Sequence, residues 1–149
     1  MQIYSIGYQE RSLPDVIVAL KMAGVERFID VRDLPNSRRA GFSKRQLAAG
    51  LNEAGLDYRH LKALGTPKAG GLAARARRWD ELWSLVDDVL ASPAGQLALQ
   101  EAAALIVEKP SAMLCYEVDH SECHRDRVAK VLKEMIGLAC VHLKAPLSP

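Results

Sequence analysis

Two short segments concentrate the side chains that can do chemistry. The first is Cys115-Tyr116-Glu117, followed by Cys123-His124-Arg125. Cysteine beside histidine supplies a nucleophile and a base, a carboxylate supplies a general acid or base, and arginine supplies a fixed positive charge for an anion. The second is Asp30-Val31-Arg32, which opens a loop carrying Arg38 and Arg39. From 32 to 45 stand Arg32, Arg38, Arg39, Lys44 and Arg45 against one acid, Asp33. Arginine forks bind carboxylate or phosphate bidentately, so this loop can hold an anion. The alternative is a solvated loop whose arginines pair with nearby acids. Asp30 ends an apolar run, where an unpaired carboxylate is costly, so it needs a donor. Structural pairing and catalytic use both remain open for it.

Cys123 and His124 fall where a helix should begin. Free N–H groups and the helix dipole there favour negative charge, and a thiol so placed titrates lower than usual. Cys115 and Glu117 share a strand period and are expected on one side. For Cys115 a small apolar core residue is an equal alternative. Cys115, Glu117, His120, Cys123 and His124 are all metal-ligand types, but their spacing fits no standard zinc pattern, so no metal is assigned. His60 shares a strand face with Tyr58 and can be a base, a donor or a core histidine. Cys140 and His142 read as structural. Arg75, Arg77 and Arg78 beside Trp79 and Trp83 can mean single-stranded nucleic acid, or a helix with buried Trp and solvated Arg.

The elements that must position these residues alternate in type. Strands are expected at Gln2 to Ile6, Arg27 to Val31, Asp57 to Leu61, Ala112 to Tyr116 and Cys140 to Leu143. Helices are expected from the Ser12 cap to Ala23, from Ser43 (with Gln46 completing a capping box) to Gly55, from Arg78 to Leu90, on past Pro93 to Val107, and from Cys123 or His124 to Ile136. Residues 64 to 72, with three glycines and a proline, read as irregular. Strands separated by helices predict a single α/β domain over 1–149. Its sheet should be mostly parallel and five-stranded, with helices on both faces, a three-layer Rossmann-like architecture. Ligands bind such sheets at the carboxyl ends of the strands. Those ends would deliver Gly7 and Tyr8, Asp30 and Arg32, His60, and Cys115 and Glu117.

Composition narrows the class. The chain has 149 residues, 49% hydrophobic and 26% charged. This is globular usage, and it excludes disordered, collagenous and coiled-coil proteins. A chain of this length buries about 68–70% of its unfolded surface, so it needs no covalent staple. A net charge of +2 excludes a histone-like polycation and leaves room for a local basic patch. Three cysteines do not make a disulfide framework, and neither a signal peptide nor a membrane span is visible. The expectation is a soluble cytoplasmic protein with reduced thiols.

The chain resembles the bacterial and archaeal domain of unknown function family 488. The resemblance rests on Ser5-Ile6-Gly7-Tyr8 with Arg11, on Asp30-Val31-Arg32 with Pro35 and Ser37-Arg38, and on Phe42. It continues through Tyr58-Arg59-His60-Leu61 and Leu64-Gly65 to Leu114-Cys115-Tyr116-Glu117 and Cys123-His124-Arg125. The step from Cys115 to Cys123 followed by His-Arg is its most specific element. The chain departs from the family in carrying Tyr8 where His is frequent and Thr66 where Gly is frequent. The resemblance implies one α/β domain with its motifs gathered at one end of the sheet, and it implies no activity.

The function expected from these residues is an enzyme acting on an anionic small molecule or nucleotide, bearing phosphate or carboxylate. Cys115, Glu117, Cys123, His124, Asp30 and His60 are the catalytic candidates. Gly7, Arg11, Arg32, Arg38, Arg39 and Arg125 are the substrate- or anion-binding candidates. The alternatives are a nucleic-acid-binding module using the 32–45 and 75–78 segments, and a metal-binding or redox-sensing protein using Cys115 and Cys123. No membrane partner is expected, and the sequence names no cofactor or oligomeric state.

Overall fold

A computed structural model of the chain describes residues 2–35, 37–117, 119, 121 and 123–146; of Cys115 it describes the backbone and not the side chain. His120 therefore lies outside the described residues. The strands are β1 (Ile3–Gly7), β2 (Arg27–Asp30), β3 (Asp57–His60), β4 (Ser111–Cys115) and β5 (Cys140–Leu143). The helices are α1 (Leu13–Met22), α2 (Lys44–Glu53), α3 (Lys68–Arg75), α4 (Trp79–Ala91), α5 (Pro93–Glu108) and α6 (Arg125–Ile136). The strands form one all-parallel sheet in the order β3-β2-β4-β1-β5, the α/β arrangement that the alternating pattern predicts.

Apolar side chains on both strand faces explain the three layers. Ile6, Phe28, Ala112 and Leu114 pack against Val16 and Leu20 of α1 and Leu47 and Leu51 of α2. Ile3, Ile29 and Met113 face Leu82, Leu99 and Ile106 of α4 and α5, and Val128 and Leu132 of α6. Each fully buried Leu, Ile or Phe contributes roughly 1.5–3 kcal/mol, so both faces hold the sheet. Local signals set several helix ends. Ser12 caps α1 by accepting from the Asp15 N–H at 3.3 Å, and Gly137, at φ 70°, takes the left-handed turn that closes α6. The capping box expected at Ser43 is not made. Ser43 Oγ instead donates to Ser37 O and accepts from Ser37 N–H, and Gln46 accepts from Gly41 N–H. The helix still starts there, with its first residues tied back to the loop from β2.

Residues 64 to 72 differ from the sequence expectation. A short 3-10 turn, Lys62–Leu64, is followed after Pro67 by α3, Lys68–Arg75. Glycine in a helix interior costs about 0.5–1 kcal/mol relative to alanine, which is why two of them read locally as loop. Tertiary packing overrides that preference. Ala73 is fully buried, and a Cβ on Gly70 would stand 2.3 Å from Thr66 Cγ2, so any larger residue there would force Thr66 to move. Gly65 is tighter still. A Cβ on it would lie 2.1 Å from the Asp33 backbone nitrogen, so the chain leaving β3 rests directly on the loop leaving β2. Among the described residues, no helix is long and apolar enough to cross a membrane.

Candidate functional site

Register places the strand ends level. Gly7 is opposite Cys115, Ile6 and Asp30 are both opposite Leu114, and Asp30 is opposite His60. Segments leaving β1 and β2 lead to α1 and α2 on one face, and the segment leaving β4 leads to α6 on the other. A crevice opens where such connections diverge.

Its floor is an ion pair. Asp30 is fully buried, and its two carboxylate oxygens accept from Arg32 Nε at 2.8 Å, Arg32 Nη2 at 2.8 Å, the Arg32 backbone N–H at 3.1 Å and the Tyr58 hydroxyl at 2.6 Å. Arg32 spends its remaining nitrogen on Phe42 O at 2.7 Å and the Tyr8 hydroxyl at 3.3 Å. Burial opposes the Arg32 charge, but the Asp30 hydrogen bonds and charge outweigh it and raise its pKa. Burial and then Asp30 push the Tyr58 hydroxyl upward too. His60 donates from Nε2 to Arg32 O at 2.7 Å and so fixes the backbone of the same turn. This network holds Tyr8, whose ring stacks on Phe42 with centroids 4.4 Å apart and meets Tyr116 edge-on at 5.4 Å.

The second motif forms the adjoining wall. His124 is buried, and its Nε2–H donates to Val31 O at 2.7 Å. Burial, opposed by that hydrogen bond, brings its pKa down to about 4, so the ring is neutral at physiological pH. With the proton on Nε2, Nδ1 carries a lone pair, and it lies 3.5 Å from Cys123 Sγ. The same sulfur accepts from the Arg125 backbone N–H at 3.5 Å. Cys123 is disulfide-bonded, whereas the sequence reading expected reduced thiols. Arg125 is fully buried; its Nε donates to Ser5 Oγ at 3.2 Å and its Nη1 to Glu117 O. Burial lowers its pKa to about 10, which leaves it charged at neutral pH. Arg125 thus ties the start of α6 to β1 and to the backbone that carries Glu117.

Above these groups lies a cleft of about 520 Å³, within the roughly 300–1,000 Å³ of small-molecule pockets. Tyr8, Tyr116, Leu34, Leu82, Pro67 and Ala74 give it apolar surface. Arg32, Arg38, Lys68, Arg75, Asp33, Glu117, Cys123 and His124 give it charge and chemistry. Arg32 is neutralised by Asp30, and Asp33 pairs with Lys62 at 3.3 Å. Arg38, Lys68 and Arg75 meet no hydrogen-bond or ion-pair partner among the described residues.

Of the residues singled out in the sequence, Arg32, Arg38, Glu117, Cys123 and His124 come together in the cleft. Gly7, Asp30, His60 and Arg125 lie behind it or in its support, in the roles given above. Arg11 donates to Ala145 O and Gln9 O, and Arg39 donates to Arg11 O; neither lines the cleft. Cys115 closes β4 beside Gly7, and the orientation expected for its side chain lies outside the described residues. Cys140 is a half-buried free thiol whose pKa is pushed up by burial to about 11. The nucleic-acid segment at 75–78 is partly spent locally, with Arg78 on Glu81 at 2.6 Å and Arg77 over the Trp79 ring. Among the described residues, no group of three His, Cys, Asp or Glu side chains is placed to hold a metal ion. Lys68 escaped the sequence reading, and Ser37 and Thr66 were quoted there for the family resemblance alone and not as site candidates, because only the fold of α3 against the β2 loop brings them to the site.

The model of one protein family, described as Domain of unknown function DUF488, matches residues 12–132. No curated protein and no solved structure matches the chain significantly.

Proposed function

The chain belongs to the family described as Domain of unknown function DUF488, and from that premise we propose that it is an enzyme acting on an anionic small molecule or nucleotide held in this cleft. The observation that carries the reading is the meeting of three cations that have no partner among the described residues, Arg38, Lys68 and Arg75, with Glu117, Cys123 and His124 around one cavity. The cations hold the phosphate or carboxylate. Glu117 is the general acid or base, and once the disulfide at Cys123 is reduced, His124 Nδ1 is placed to accept the thiol proton. Asp30, saturated by Arg32 and Tyr58, supports the floor and does not exchange protons with substrate.

The test is a binding and turnover screen over phosphorylated and carboxylated compounds, repeated with Arg38→Ala, Lys68→Ala and Arg75→Ala. A hydrogen bond to a charged group contributes about 1.5–3 kcal/mol, so each change should weaken binding by about tenfold or more. These are exposed side chains, so the unfolding temperature should stay near that of the parent. A triple variant that binds every hit as well as the parent protein would end the reading.

A second reading, a redox-responsive protein using Cys115 and Cys123, is favoured by the disulfide at Cys123. Reduction by a dithiol gives two thiols, takes up two electrons and two protons, and leaves the reductant as its own disulfide. The thiol from Cys123 then lies beside the His124 lone pair, so the two readings share one sulfur. Site-resolved alkylation across a graded thiol–disulfide buffer should show Cys123 labelling appear in one reversible step. Labelling of Cys123 that is complete without reductant would refute it.

A further inference from the structure

The unexplained residue in the cleft is Gly71. Helix α3 aligns Lys68, Gly71 and Arg75 along one stripe, because positions three and four apart share a helix face. All three line the cleft. The two cations are separated by about 10 Å along the axis, at 1.5 Å per residue, with Gly71 between them. Its neighbour Gly70 is held small by Thr66, whose Cγ2 a Cβ there would meet at 2.3 Å. Gly71 is not required in that way. A Cβ there would meet nothing within 4 Å, and its φ is outside the left-handed region. Glycine weakens a helix interior, and here neither packing nor backbone geometry asks for it. What it leaves is bare backbone on the cavity side, open to the close approach of a ligand. The same cleft is lined by three cations without a partner among the described residues, Arg38, Lys68 and Arg75, and by the Glu117 carboxylate. The positive excess suits a group close to a dianion, which a phosphate ester is at neutral pH and a simple carboxylate is not. Half-exposed Tyr116 and Leu34 offer apolar contact to the rest of such a ligand.

We infer that the cleft takes an organic phosphate whose phosphate group lies on the α3 backbone at Gly71, between Lys68 and Arg75, with Arg38 as the third cation. This rests on the anion-cleft reading above and names its ligand class and the place where the charge sits.

The experiment is an NMR titration of the full chain with phenyl phosphate, benzoate and pyrophosphate, on the parent protein and on Gly71→Leu and Gly71→Ala. Phenyl phosphate should shift the α3 amide resonances and bind about tenfold more tightly than benzoate. Gly71→Leu should weaken phenyl phosphate by about tenfold or more, with an unfolding temperature equal to or above the parent's. Gly71→Ala, the variant to use if the leucine disturbs folding, should raise that temperature and weaken binding by a smaller factor. Unchanged affinity in both Gly71 variants, with affinity lost in Arg38→Ala and Arg75→Ala, overturns the placement and leaves the anion cleft standing. Benzoate binding as well as phenyl phosphate overturns the phosphate class alone, and pyrophosphate binding without phenyl phosphate overturns the organic part. Binding of none of the three overturns both this inference and the reading it rests on.

Discussion

Replacing Asp30 by alanine should lower folding stability by about 3–5 kcal/mol, the cost of leaving a buried charge without its partner. Arg32 is only 6% exposed and Asp30 is fully buried, so water cannot take over the lost contacts. Four donor groups lose their acceptor at once: the Arg32 Nε, Nη2 and backbone N–H, and the Tyr58 hydroxyl. The damage should spread to the cleft, because Arg32 also holds the Tyr8 hydroxyl and Phe42 O. A double change, Asp30→Leu with Arg32→Met, should cost much less than the single one, since a buried pair replaced by apolar groups of similar size is often near neutral. Urea unfolding of the parent, the single and the double variants measures this directly. If the single variant lost less than about 1 kcal/mol, the pair would be no more than a surface-type salt bridge.

Stability should also fall as the pH drops below the ordinary histidine range, and His124 should account for much of the loss. Its folded pKa of about 4 lies below the 6.5 of a free imidazole, with burial as the main cause. Between those values the unfolded chain binds a proton that the folded chain refuses. Stability therefore rises with pH across this window; its full value is present above pH 6.5 and is lost as the pH falls toward 4. At 1.36 kcal/mol per unit the loss amounts to roughly 3 kcal/mol. Arg125 reinforces the depression and Asp30 opposes it, both weaker than burial. His124→Gln retains a donor toward Val31 O and removes the titration. The pH dependence of parent minus variant, from unfolding curves at several pH values, isolates this group from His60 and His142. A difference that stays flat from pH 7 to pH 4 would show that His124 protonates in the fold as freely as in the unfolded chain.

Both predictions concern residues visible in the sequence, yet what each residue does was only partly visible. Alternating apolar strands and capped or glycine-terminated helices are local patterns, written within a few residues of each other. They determined the α/β class and most of the strand and helix positions, and by the strand-end rule they placed Asp30, Arg32, His60 and Glu117 at one edge. The requirement that a buried Asp30 find a donor followed from its apolar neighbours alone. Tertiary structure decided the rest, because it depends on residues far apart in the chain. Arg32 looks like an anion holder until Phe42 and Tyr8 arrive to take its last nitrogen. The two glycines that read as loop belong to a helix, since Thr66 and Leu82 close on Gly70 and bury the turn around Ala73. That helix in turn carries Lys68 and Arg75 to the cleft. Local propensity states what a segment prefers alone. Whether a charge is spent or free is settled only when the fold has brought, or failed to bring, its partner.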